Sequence, residues 1–131
     1  MSSSIRILLD QGELTATLDD SLTARAILDA LPLEATASTW GQEIYFSVPV
    51  QVPEAADARE EMAAGELAYW PMGAAFCIFF GPTPASTGPA PRAYSNVNPF
   101  GVIDGLESTD SSVRELLESV RDGQTIKVVQ G

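Results

Sequence analysis

Trp40, Tyr45, Tyr69 and Trp70 are aromatic residues with a polar edge, and each falls at the end of a candidate strand or on its polar parity. Such residues suit the rim of a pocket, because the ring gives apolar contact while its N–H or O–H fixes orientation. Glu43 shares the polar parity of Tyr45. Arg92 and Tyr94 follow a segment rich in proline, glycine, serine and threonine, which can carry a cation and a further ring over that rim. A guanidinium above an indole face is attracted by the ring quadrupole. Trp40, Glu43, Tyr45, Tyr69, Trp70, Arg92 and Tyr94 are therefore the candidate ligand-binding residues. Tyr45, Trp70 and Arg92 are expected to line one shared depression.

Other chemistry is largely excluded. The chain has no histidine, which removes histidine-based zinc sites, Ser-His-Asp triads and Cys-His dyads. Its one cysteine, Cys77, lies in an apolar run and is expected to be a buried, reduced thiol with no activating neighbour in sequence. Among the acidic pairs, Asp19-Asp20 sits where a helix should begin, and carboxylates there are favoured by the helix dipole. Glu60-Glu61 reads as a solvated face, and Asp104-Gly105 as a turn. Gly81-Pro82-Thr83-Pro84 has no phosphate-loop lysine, and its two prolines remove N–H donors. No catalytic residue, metal site or cofactor is assigned.

The elements that must position the candidate residues follow from periodicity. Ser4–Asp10 and Glu13–Leu18 read as a hairpin around Gln11-Gly12, with Leu14, Ala16 and Leu18 on one face. Residues 19–32 read as a helix capped by Asp20 or Ser21, with Leu22, Ala26, Ile27 and Leu31 on its apolar side. Trp40–Val52 alternates most clearly: Ile44, Phe46, Val48, Val50 and Val52 face the core, while Glu43, Tyr45, Ser47, Pro49 and Gln51 face outward. Residues 53–66 suggest a short helix or turn. ELAYW and AAFCIFF follow as strands, the second apolar at both parities and so covered on both faces. GPTPASTGPAPRAY is a loop, expected to be the most mobile segment. NVNPFGVIDG returns to strand, Ser112 and Glu115 frame a capping box at the start of a second helix, and QTIKVVQ closes the chain as a strand.

With 131 residues and 45% hydrophobic content, the chain has the length of a single domain, taken as 1–131, and enough apolar side chains to fill a core. The formal net charge of −11 disfavours nucleic acid and anionic membrane surfaces as partners. No apolar run reaches the roughly 18 residues of a membrane span, and no secretory signal is visible, so a cytoplasmic location is expected.

TARAILDALPL, WGQEIYF, GELAYWPMGAAFCIFFGPTPAS and NPFGVIDGL together resemble a family of small prokaryotic cyclophilin-like proteins, over about Ile5 to Val129. The resemblance implies a mainly β fold: a closed antiparallel barrel of about eight strands capped by two α-helices. Cyclophilins place an arginine three positions ahead of a proline on the strand before the site. Counted back from Pro49, that place holds Phe46, and the nearest alternative is Ser47. Neither supplies a cation, so the resemblance implies a retained fold without the isomerase catalyst. The leading expectation is a module that binds a small molecule or peptide. The alternatives are a weak peptidyl-prolyl isomerase using Arg92, or a subunit whose exposed aromatics form a protein interface.

Overall fold

The computed structural model describes residues 3–106 and 111–131. Its first hairpin is the one the alternation predicts: β1 (Ser3–Leu9) and β2 (Gly12–Leu18) pair antiparallel, with Leu14, Ala16 and Leu18 buried and Glu13, Thr15 and Thr17 exposed. Helix α1 (Leu22–Ala30) starts at Ser21, whose hydroxyl accepts from the Ala24 N–H at 3.1 Å. Its buried residues are Thr23, Ala24 and Ile27, whereas Leu22 is 77% exposed. Of the expected apolar side, Ile27 is buried and Ala26 and Leu31 pack against the core, so only Leu22 departs from it; Thr23 is buried instead, its hydroxyl accepting a hydrogen bond from the buried Asn98 amide.

Short strands β3 (Leu33–Thr36) and β4 (Ser38–Thr39) flank Ala37. Strand β5 (Glu43–Ser47) is shorter than the alternation suggests, although Val48 and Val50 beyond it are still buried. The acidic, alanine-rich stretch forms turns at residues 56–57 and 64–65, as one of its two expected forms, and no helix; between them it contributes β6 (Arg59–Glu61), which pairs with β9 (Arg92–Ile103). The remaining elements are β7 (Glu66–Trp70), β8 (Ala75–Phe79), α2 (Ser112–Glu118) and β10 (Thr125–Gln130). At the start of α2 the Ser111 hydroxyl donates to Glu115, and no side-chain hydrogen bond caps the backbone at that position.

All strand pairs are antiparallel, in the order β3-β10-β1-β2-β9-β7-β8-β5-β4, with β6 attached to β9. Among the described residues the ladder is not closed by hydrogen bonds, so the sheet is antiparallel as expected but its closure into a barrel is not confirmed. Its two end strands follow one another along the chain across Ala37. The sheet has ten strands rather than about eight, because β4 and β6 are short additions. Two helices accompany it, as expected.

The sheet buries two apolar layers on opposite faces. The larger includes Ile5, Ile7, Phe46, Tyr69, Phe76, Ile78 and Phe100. Phe76 stacks on Phe46 at 4.8 Å and meets Phe100 edge-on at 5.1 Å. The smaller layer holds Met62, Ala68, Ala75, Cys77, Phe79, Ala93 and Val97, with Tyr45 and Trp70 packed against it. This explains the apolar character of β8 at both parities: Phe76 and Ile78 belong to one layer, and Ala75, Cys77 and Phe79 to the other.

Candidate functional site

The smaller layer is incompletely filled. A cleft of about 160 Å3 opens there, lined by Trp40, Glu43, Tyr45, Trp70, Cys77, Ala93, Tyr94 and Val97. Its location follows from register. Tyr45 lies opposite Cys77, and Cys77 opposite Ala68, so one row across β5, β8 and β7 runs from a large side chain to two small ones. Glu43 lies opposite Phe79 and thus diagonal to Cys77 on the same face. Small residues at the middle of the row form a floor, and the rings around it form walls.

The WGQE segment sets the cleft's first edge. Trp40 and Glu43 exchange backbone hydrogen bonds at 2.9 and 3.2 Å, closing a two-residue loop over Gly41-Gln42. Gly41 has φ +61, the conformation this loop requires at its first position. A Cβ there would lie 2.9 Å from Pro82 O, Thr83 Cα and Pro84 Cδ, so the glycine also admits the GPTP loop against the turn. Gln42 N–H then donates to Pro82 O at 2.9 Å, and Phe80 N–H to Gln42 O at 3.0 Å. That loop is tied internally through Thr83 and Ser86.

Trp70 sets the opposite edge. Its indole N–H donates to Ser95 Oγ at 2.7 Å, and its ring occupies the space a side chain on Gly73 would take. Tyr94 stands between the two indoles, 6.1 Å from Trp40 and 6.0 Å from Trp70, edge-on to both. It is 72% exposed, so it forms the outer wall.

Glu43 is only 6% exposed. Burial pushes its carboxyl up to about 7, while the hydrogen bond with the Cys77 thiol pulls the other way. Burial also pushes the Cys77 thiol well above its ordinary value, and the neighbouring Glu43 charge adds to the shift. Cys77 is therefore protonated at neutral pH and is a hydrogen-bond donor, not a nucleophile. The site offers a carboxyl that changes charge near neutrality, inside aromatic walls. Among the described residues, no group of His, Cys, Asp or Glu could hold a metal ion.

Five of the seven residues singled out in the sequence, Trp40, Glu43, Tyr45, Trp70 and Tyr94, line this cleft. Tyr69 does not. Adjacent residues of a strand point to opposite faces, so Tyr69 and Trp70 cannot line the same cleft. Tyr69 is buried in the larger layer, its hydroxyl donating to Val50 O at 2.6 Å. Arg92 does not line it either: its guanidinium binds Glu60 at 2.8 Å and Glu61 at 3.4 Å across the β6–β9 pair. Cys77, Ala93 and Val97 were missed as lining residues. Cys77 joins the cleft only through its register with Tyr45, and the two small aliphatic residues carry no signal in sequence.

The chain belongs to the cyclophilin-like family, whose model matches residues 3–129. It is similar to the hypothetical protein AF2241 from Archaeoglobus fulgidus, solved in solution, with 35% identity and a TM-score of 0.79. That likeness covers 99% of this chain and 95% of the archaeal one. No curated protein matches the chain. No described helix is long and apolar enough to cross a membrane.

Proposed function

We propose that the chain is a binding module whose outer cleft takes a small molecule or one side chain of a peptide. The observation that carries this reading is the cleft itself: about 160 Å3, walled by Trp40, Tyr45, Trp70 and Tyr94, with a buried carboxyl among them. An apolar cavity of about 150 Å3 holds one benzene-sized molecule. Drug-sized ligands occupy pockets of about 300–1,000 Å3, so the occupant here is a head group, a single ring or a single side chain. A prolyl-isomerase reading needs a cation over the substrate. No Lys or Arg lines the cleft, and Arg92 is engaged by Glu60 and Glu61. An interface reading has Met72 and Tyr94 as its exposed apolar residues near the rim, too small an area to carry it.

The test is a thermal-shift screen of ring-sized and head-group-sized fragments against the protein and against Ala93→Leu, which fills the cleft. A ligand that binds only the native state raises stability by about 2.7 kcal/mol at a hundred times its Kd. Hits are expected to stabilise the parent chain and to lose that effect in Ala93→Leu. Hits that stabilise both chains equally would place binding elsewhere and overturn the reading.

A further inference from the structure

We propose that the cleft takes an organic ammonium group, the positively charged head of a small molecule, held among Trp40, Tyr45, Trp70 and Tyr94 and countered by Glu43. The inference rests on the binding reading above and names the ligand class for that same cleft.

Three observations favour a cation over a neutral or anionic occupant. The first is the walls. The Tyr94 ring is inclined at 69° to Trp40 and at 76° to Trp70, so neither pair is stacked and the rings stand as separate sides of an enclosure. Electron-rich rings arranged around a space attract ammonium groups, and this arrangement repels anions. The second is Glu43. Its carboxyl is buried at the cleft with a thiol for its neighbour, and no Lys or Arg lines the site. A carboxylate in that position is costly unless a cation pairs with it, and the described lining provides none. A neutral ring would fit the volume but leave the carboxyl without a counter-charge. The third is the kind of cation. A bare metal ion needs several oxygen or nitrogen donors, and no such group exists among the described residues. An alkylated ammonium instead presents an apolar envelope, which suits rings and a floor of Cys77, Ala93 and Val97. The net charge of −11 further draws cations toward the surface.

A bound ammonium stabilises the ionised carboxyl. The titratable groups that share the cleft with Glu43 are Cys77 on β8, Tyr45 on its own strand and Tyr94 on β9. With the free carboxyl protonating at about 7, ligand binding below that value must expel a proton. Affinity therefore rises with pH, by up to about tenfold per unit, and levels off above about 7.

Isothermal titration with choline and with its neutral carbon isostere, in which tert-butyl replaces trimethylammonium, separates the possibilities. The two probes share shape and hydroxyl and differ in charge. Choline is expected to bind at least about tenfold more tightly, a difference of about 1.4 kcal/mol. Glu43→Gln should weaken choline binding, reduce the preference and abolish the pH dependence while its thermal unfolding remains cooperative. Tyr94→Ala, which alters an exposed residue, should weaken choline binding with the pH dependence intact. Equal binding of the two probes would overturn the ammonium assignment and leave the binding reading standing. Choline binding that is unchanged in Glu43→Gln would also overturn it. If neither probe binds, the ammonium assignment fails, and the fragment screen alone then decides whether the cleft binds anything.

Discussion

The two faces of strands β5, β7 and β8 follow opposite packing rules. On the inner face, Phe46, Tyr69, Phe76 and Ile78 are large and meet one another, and the single polar atom, the Tyr69 hydroxyl, finds Val50 O. On the outer face, Phe79 is large and fully buried, but Ala68, Ala75 and Cys77 are small, and Tyr45 and Trp70 are only partly buried against them. The polar group that lines the cleft there, the Glu43 carboxyl, is buried beside the Cys77 thiol with no cation in the lining. The inner face is built for packing density. The outer face gives up contact and leaves a carboxyl poorly compensated, which a chain selected for stability alone would not retain.

The largest expected effect breaks the inner face. Phe76 is fully buried between Phe46 and Phe100. Phe76→Ala should cost roughly 3–5 kcal/mol in urea unfolding, the transfer loss plus an unfilled cavity. A cost under about 1 kcal/mol would mean that the inner layer is loosely packed and that the contrast between the faces is false.

Much of that inner layer was legible in the sequence. Leu14, Ala16 and Leu18 alternate because one face of β2 is wet, and β8 is apolar at both parities because it is covered twice. The site was legible where side-chain chemistry and parity agree, as at Glu43 and Tyr45. It was illegible where strand pairing decides. Tyr69 and Trp70 look alike as polar-edged aromatics, but parity sends one into the core and the other to the cleft. Arg92 looked free because its loop is long, whereas β6 sets Glu61 opposite it. That strand could not be read from AREEM, since three charged residues carry no strand signal. Whether the ladder closes was equally hidden, because closure depends on how the ends of β3 and β4 meet and not on any one segment.

The next effect concerns the outer face and is set by pH. The unfolded chain releases the Glu43 proton at about 4.5 and the folded chain at about 7, so between these values the folded state holds more proton. Stability contributed by this group is present below about 4.5 and falls as pH rises through about 7. The difference corresponds to about 3 kcal/mol at 1.36 kcal/mol per pKa unit. Glu43→Gln removes the titration. Its stability relative to the parent chain should therefore be higher at pH 8 than at pH 4.5 by an amount of that order. A stability difference that does not change with pH would mean the carboxyl is well solvated, and the outer face would lose its distinguishing strain.

The smallest effect on stability carries the sharpest form of the comparison. Tyr94 touches Trp40 and Trp70 only edge-on and is 72% exposed, so its ring gains little from burial. Tyr94→Ala should change unfolding free energy by no more than about 0.5 kcal/mol, the range for surface positions. The same substitution removes one of the four walls of the cleft and should weaken any ligand seated there. Inner-face substitutions should behave in reverse: Phe76→Ala lowers stability, but under conditions where the chain remains folded it leaves the lining of the cleft in place. Measuring unfolding and ligand titration on both variants tests whether the two faces are separable. A stability loss above about 2 kcal/mol for Tyr94→Ala would make the aromatic wall part of the packing. The outer layer would then be a second core with an accidental gap, and the cleft would lose its claim to be a site.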